Sequence, residues 1–303
     1  MSAARDGVGS CRDARYFGAG DLVNHREKGS IRNCSTGTRL SPIRYKILSD
    51  DMQTLATLVD PNIVLPLRTR YRQEMNCQIV KDSIHTRPGW SLTYAFSLTG
   101  AVVGFGTVAI AGPWQDKPTI LEFYVLPAHR GRAFHLFETF VETSGAQHME
   151  IQSSDLLLAA MLHTYARDVS SESIVFQDGL TTALTANGAL LEPMTSDEEI
   201  RCAIAERAGG GQWLLKVEGR QAGNGGILFH YNPPYGDVYM EVDEPFRGRG
   251  LGAYLVQELK RLAYELGSIP AARCNVDNRV SRKTLQKAGF VPYAHILNGS
   301  IAR

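Results

Sequence analysis

The sequence predicts an α/β protein made of two related αβ halves in tandem. Three observations point there. Segments of strand-like alternation and of helix-like periodicity follow one another in the same order twice along the 303 residues. The stretch Val125-Leu126-Pro127-Ala128-His129-Arg130-Gly131-Arg132-Ala133-Phe134-His135 aligns without gaps on Val242-Asp243-Glu244-Pro245-Phe246-Arg247-Gly248-Arg249-Gly250-Leu251-Gly252. In both copies a strand pattern precedes the shared Arg-Gly-Arg and an amphipathic pattern follows it. Hydrophobic residues make up 44% of the chain, ample for a core larger than one domain of ordinary size needs.

Residues 1–40 are rich in Gly, Ser, Asn, Arg and Asp and show little periodicity, so they read as a mobile leader. Ile43-Arg44-Tyr45-Lys46-Ile47 alternates like a strand, and Ser49-Asp50-Asp51 reads as the cap of a helix over 52–59. Residues 92–112 suggest two strands around a turn at Thr99-Gly100, 119–126 a further strand, and 133–144 a helix. The apolar-then-glycine stretch 176–192 reads as the join. Beyond it, Ser196-Asp197-Glu198-Glu199 starts a helix, 212–217 and 225–231 are strands around the turn Glu218-Gly219-Arg220, and 237–242 is another strand. A helix over 251–266 stops at Gly267, a short strand covers 271–276, and a last helix over 281–288 stops at Gly289. The halves are thus placed at 41–180 and 188–303.

Composition excludes several classes. Lysine plus arginine (32) nearly balance aspartate plus glutamate (31), which argues against a nucleic-acid partner. No apolar run is long enough for a membrane span, and the N-terminus carries no apolar stretch of the secretory kind. The five cysteines, Cys11, Cys34, Cys77, Cys202 and Cys274, are odd in number and form no CxxC pair, which disfavours a disulfide framework or a metal site. The expectation is a cytoplasmic protein, monomer or homodimer, without a metal.

The stretch 247–252 carries the chemistry. Unpaired backbone N–H groups and the partial positive charge of a helix start suit a pyrophosphate. Gly250 and Gly252 let phosphates approach the backbone without a Cβ in the way, and Arg247 and Arg249 can add charge-assisted hydrogen bonds. The spacing is wrong for a dinucleotide-binding loop, and the Gly-Lys-Ser/Thr of a Walker loop is absent.

Val242, Arg247-x-x-Gly250-x-Gly252, a helix, then Cys274-Asn275-Val276-Asp277-Asn278 with Ser281, then Gly289-Phe290, together resemble the GNAT superfamily of N-acetyltransferases. The resemblance is close over 237–293 and extends by element order through the C-terminal half. It implies a splayed mixed sheet flanked by helices in each half, and acetyl-CoA as co-substrate. It further implies that the backbone of Arg247, Gly248, Arg249, Gly250, Leu251 and Gly252 holds the pyrophosphate. Val242 would pair with the pantetheine arm, and Asn278 and Ser281 would lie beside it. In the N-terminal copy Ala133 and His135 replace both glycines, so that half reads as a degenerate copy that walls the acceptor cleft or mimics a dimer partner.

Direct acetyl transfer needs a base for the amine, a donor for the oxyanion and an acid for the thiolate. Period two puts Asp237, Tyr239 and Glu241 on one strand face and Val238, Met240 and Val242 on the other. Glu241, beside Val242, is the first candidate for base; Tyr239 and Asp237 follow, and a backbone N–H near Val242 is the oxyanion donor. Leu285 stands where many family members have the tyrosine acid, so either another hydroxyl such as Tyr293 or water protonates the thiolate, or the thiolate leaves unassisted. His230 and Tyr231 are candidates for the cleft lining, and Cys274 reads as a small buried residue. The expectation is an acetyl-CoA-dependent N-acetyltransferase of a small polar amine. The acidic cluster Asp237, Glu241, Asp243, Glu244 suits a cation such as an aminoglycoside antibiotic, so resistance by acetylation is one expected role. The alternatives are an acyl-CoA sensor without turnover and a peptide or protein N-acetyltransferase.

Overall fold

The computed structural model describes residues 54–78, 82–85 and 87–302, so the leader, the strand expected at 43–47 and the cap at 49–51 lie outside the described residues. Elements alternate as the periodicities require. The first half runs β1 (Thr54–Val59), α1 (Leu65–Met75), the single turn α2 (Asp82–His85), β2 (Ser91–Leu98), β3 (Ala101–Ala109), β4 (Thr119–Val125), α3 (Ala133–Ser144), β5 (His148–Gln152), α4 (Leu156–Tyr165) and β6 (Ala166–Asp178). The second half runs β7 (Ala189–Pro193), α5 (Asp197–Glu206), β8 (Gly210–Val217), β9 (Arg220–Leu228), β10 (Tyr235–Val242), α6 (Leu251–Glu265), β11 (Ile269–Asn275), α7 (Arg279–Lys287) and β12 (Phe290–Ile301).

Local chemistry sets most boundaries. Thr99 and Gly100, and again Glu218 and Gly219, take positive φ at two-residue turns, the backbone that matches strand twist in a hairpin. Ser196 forms the full capping box with Glu199 at the start of α5. Asn278 accepts from the Ser281 N–H at 2.9 Å and starts α7. Two expectations fail. Residues 54–59 form a strand rather than the end of a helix: Thr54, Thr57 and Val59 are β-branched, and the segment pairs antiparallel with β2 from Thr54↔Leu98 to Val59↔Thr93. The expected join at 176–192 is shorter, because Phe176 still belongs to β6 and Glu192 already belongs to β7.

Among the described residues all twelve strands share one sheet, in the order β1-β2-β3-β4-β5-β12-β6-β11-β10-β9-β8-β7. The two halves therefore trade their last strands: β6 pairs with β11 of the second half, and β12 lies between β5 and β6. On one face of the second half, α5, α6 and α7 cover a core that includes Trp213, Leu215, Val238, Leu255, Leu259 and Phe290. In the first half α3 and α4 cover one face with Phe123, Phe137 and Phe140, while α1 and the turn before it cover the other through Tyr71 and Val64 on Ala95, Phe105 and Tyr124. The opposite face of the second half, which carries Asp237, Tyr239 and Glu241, has none of its own helices over it. There the chain following α1 reaches across: the Asn232 N–H donates to the Gln78 carbonyl at 3.0 Å, and the Tyr235 hydroxyl donates to Asn76 Oδ1 at 2.7 Å.

Candidate active site

Two parallel strands that should run side by side part company here. β10 and β11 pair only over Tyr235↔Ile269, Gly236↔Pro270 and Asp237↔Ala271. Beyond Asp237, β10 stays with β9 while β11 turns to β6. A wedge opens between them toward Val242 and Asn275. Its foot is a cavity of about 240 Å³ lined by Asp237, Val238, Tyr239, Met240, Val256, Arg273, Ser281 and Leu285.

The mouth of the wedge runs into a groove of about 640 Å³ between the β10 end, the start of α6 and one flank of α7. Gly248 takes φ +80° and Gly250 φ +81°, conformations in which a Cβ is strained. Gly250 is the N-cap of α6, so the N–H groups of the first turn have no partner inside the helix and face the groove end. Gly252 serves packing: a Cβ there would stand 3.2 Å from Thr284 Cγ2, so it lets α6 and α7 close up. Arg247 lines the groove, and its Nε donates to the Val242 carbonyl at 2.9 Å and pins the loop to the strand. Arg249 donates to the Pro245 carbonyl at 3.1 Å and lies over Phe246. The cations the sequence reading missed are Lys283 and Lys287 on α7, which line the same groove; Lys287 Nζ would be 3.5 Å from a Cβ at Gly250. Their signal was present in the helical spacing of α7, i and i+4, but the facing loop comes from elsewhere in the chain.

The first-half copy shows why its loop differs. Arg130 Nε donates to the Val125 carbonyl at 3.2 Å, the counterpart of the Arg247–Val242 bond. Ala133, in the place of Gly250, has φ −58°, and Gly131 stays out of the left-handed region. Residues Pro127–Arg132 therefore wind as a 3-10 turn straight into α3, with no open loop ahead of the helix. The site corresponding to Tyr239 is Glu122, fully buried and held by His85 Nε2 at 2.9 Å, Thr107 Oγ1 at 2.7 Å and Arg68 at 3.8 Å. In this half α1 and α2 fill the face that the second half leaves open.

The expected catalytic residues separate in space. Glu241 is exposed at the mouth of the wedge. Tyr239 lies over Gly226, where an added Cβ would meet its ring at 2.7 Å; burial raises its hydroxyl pKa and a hydrogen bond to Gln212 offsets part of that. Tyr293 packs with Tyr231, Tyr235, Ala271 and Ala294 below the foot, apart from the residues that line either cavity. Asp237 is buried at the foot, with His230 Nε2 3.3 Å from its Oδ2. Burial, and then the Asp237 charge, push the buried Tyr231 hydroxyl well above its usual pKa. Burial opposes the Arg273 charge, but Tyr231, Asp237, Glu172 and Glu150 outweigh it. Cys274 is buried as expected; burial raises its pKa, and a hydrogen bond from Ser281 and the nearby Arg282 lower it in part. Leu285 is 4% exposed and forms one wall of the foot. Among the described residues no group of three or more His, Cys, Asp or Glu side chains is placed to hold a metal, and no helix is long and apolar enough to cross a membrane.

A splayed mixed sheet with a glycine loop opening onto a helix start defines the GNAT acetyltransferase fold, and solved structures agree. An acetyltransferase from the GNAT family of Colwellia psychrerythraea aligns with a TM-score of 0.60 at 15% identity, over 82% of this chain and 100% of its own. A tandem GNAT protein from the clavulanic acid biosynthesis pathway, without AcCoA, aligns at 0.54 and 15% identity, over 84% and 99%. A GCN5-related N-acetyltransferase from Sphaerobacter thermophilus aligns at 0.53 and 15% identity, over 82% and 96%. No curated protein matches the chain in sequence. Residues 182–290 match the model of the acetyltransferase (GNAT) family.

Proposed function

We propose that the protein is an acetyl-CoA-dependent N-acetyltransferase of a small polar amine, with its active centre in the half at 188–303 and the half at 41–180 as a structural copy. The observation that carries the reading is the continuity of the wedge with the groove at the start of α6. The residues present suit coenzyme A. Free N–H groups at the α6 start, Lys283 and Lys287 would hold its phosphates, and the unpaired edge of β10 from Val242 inward would bond its pantetheine arm. The co-substrate supplies an activated acetyl thioester. From Val242 to Asp237 the strand spans about 17 Å at ~3.3 Å per residue, which brings the reacting end of the arm to the foot of the wedge.

There the His230–Asp237 pair is the base best placed to take a proton from an ammonium, with Asp237 orienting the imidazole. The amine nitrogen bonds to the acetyl carbon as the carbon–sulfur bond breaks. Of the three ammonium protons, one passes through His230 to solvent, a second ends on the sulfur and the third stays on the amide nitrogen. A β10 backbone N–H facing the wedge is the oxyanion donor. Glu241 at the mouth is better placed to attract an ammonium than to deprotonate it. The filling of the acid's usual place by buried Leu285 favours one rival, a sensor that binds acyl-CoA without turnover.

The test is thiol release from acetyl-CoA across aminoglycosides, polyamines, amino sugars, amino acids and short peptides. We expect turnover with a small amine. Lys287→Glu should weaken acetyl-CoA binding about tenfold, equivalent to ~1.4 kcal/mol. Saturable binding with no turnover on any amine would establish the sensor instead, and turnover confined to peptides would establish a peptide acetyltransferase.

A further inference from the structure

A second cavity of about 340 Å³ lies beside the foot of the wedge, lined by Arg87, Glu206, Arg207, Ala208, Gly209, Leu228 and His230. Its floor is one strand from the chemistry: Leu228 is the cross-strand partner of Asp237, and His230 links this cavity to Asp237. The two halves build it together. Arg87 comes from the loop before β2 of the first half and lies over the Trp90 ring, its Cζ 4.6 Å from the ring centroid. Arg207 comes from the end of α5, where it donates to the carbonyls of Tyr231 and Tyr235. Two guanidinium groups face one carboxylate, Glu206, so the cavity has a surplus of positive charge.

The backbone at Arg207 supports a role for its side chain. It takes φ +53° at the C-terminal cap of α5, a conformation that glycine or asparagine normally fills. A long cation in that position directs its side chain back under Tyr231 and Tyr235. The two carbonyls use one terminal nitrogen, so the fork keeps further donors. A pair of guanidinium groups lining one cavity is an arrangement that can bind a carboxylate or phosphate through several hydrogen bonds at once.

We infer that the acceptor amine carries an anionic oxyacid group, which Arg87 and Arg207 bind while the amine is presented to His230 and Asp237. This rests on the acetyltransferase reading and narrows its small polar amine to one that also carries an anionic group. The transfer is the one already written: the nitrogen–carbon bond forms, the carbon–sulfur bond breaks, and the anionic group takes no part in it.

The experiment compares kcat/KM for matched pairs, lysine with cadaverine, β-alanine with ethylamine, and phosphoethanolamine with ethanolamine, in the full chain. Calorimetric binding of each compound is a second readout independent of turnover. We expect the anionic member of at least one pair to be favoured tenfold or more. Which pair responds separates carboxylate from phosphate. That preference should fall at least tenfold in Arg87→Ala and in Arg207→Lys, through KM rather than kcat, and should persist in Arg201→Ala on the exposed face of α5. Arg87 is exposed, so its variant remains informative if Arg207→Lys fails to fold. Equal rates within every pair, unchanged in Arg87→Ala, would overturn the subsite and leave the acetyltransferase standing. Anion binding that Arg87→Ala abolishes, with no amine acetylated, would uphold the subsite and overturn the acetyltransferase. Neither binding nor turnover would overturn both.

Discussion

Glu122 shows how one side chain can close a site. Burial alone would raise its pKa, but the charge and hydrogen bond of His85, then Arg68, then the Thr107 hydroxyl, outweigh burial and hold the carboxyl far below the usual range. A depressed carboxyl contributes stability that is present above the unfolded value near ~4.3 and is lost as pH falls toward the folded value. Glu122→Gln should therefore lower stability at pH 7 by roughly 3 kcal/mol, because Arg68 is left buried beside an uncharged partner. The deficit should shrink as pH falls below about 4, where the wild type loses the same contribution. Thermal unfolding from pH 7 to pH 3 measures both. A constant deficit would mean that Glu122 acts through packing alone.

The composition of β4 gives no hint of this cluster, because His85 and Arg68 reach Glu122 from α2 and α1, elements whose partners only the fold brings together. By contrast the Arg-Gly-Arg repeat, the Ser196 capping box and the glycine loop are legible, since each is a local rule written within a few residues. The foot of the wedge falls between these cases. The polar row Asp237, Tyr239, Glu241 is readable from period two. Which member sits deepest depends on where β11 leaves β10, and that is set by β6 from the other half.

At the scale of elements, α6 carries a cation on its buried face. Lys260 is 5% exposed and pairs with Asp178 at the end of β6. It also donates to the Leu180 carbonyl at 2.9 Å and the Ala288 carbonyl at 2.8 Å, over the ring of Phe290. One side chain thus ties the helix that starts at the loop to the exit of β6 and to the end of α7. Helical periodicity marks the leucines, valines and alanines of this face, but a lysine among them reads as solvated until the carbonyls are seen. Lys260→Ala should cost roughly 3 kcal/mol, since it leaves the largely buried Asp178 with only the Tyr264 hydroxyl and takes the donor from the Leu180 and Ala288 carbonyls. Denaturant midpoints will measure it. Acetyl-CoA affinity should fall along with stability, whereas Arg261→Ala, on the exposed side of the same helix, should change neither by more than about 0.5 kcal/mol.

The whole molecule is governed by the traded strands. Each half ends its own sheet with a strand from the other, so neither 41–187 nor 188–303 contains the partners its outer hydrogen bonds need. The two segments produced separately should be aggregated or unfolded by circular dichroism and gel filtration, and should recover a folded complex when produced together. Denaturant unfolding of the full chain should be a single transition, reported alike by Trp114 in the first half and Trp213 in the second. Two separated transitions would show that the halves hold together independently. The internal repeat is readable in the sequence, but the exchange of strands is not. A strand such as β12 pairs equally well in either position by pattern, and only the crossing of the two ends decides.

That exchange also has a consequence during synthesis. β5 leaves the ribosome early, yet the strand that covers its free edge is the last to be made. Until then the nascent first half exposes a row of unpaired backbone donors and acceptors, a template for another nascent chain on the same message. Whatever shields that edge in the interval, a chaperone or a pause in translation, determines how much of the protein reaches its native form.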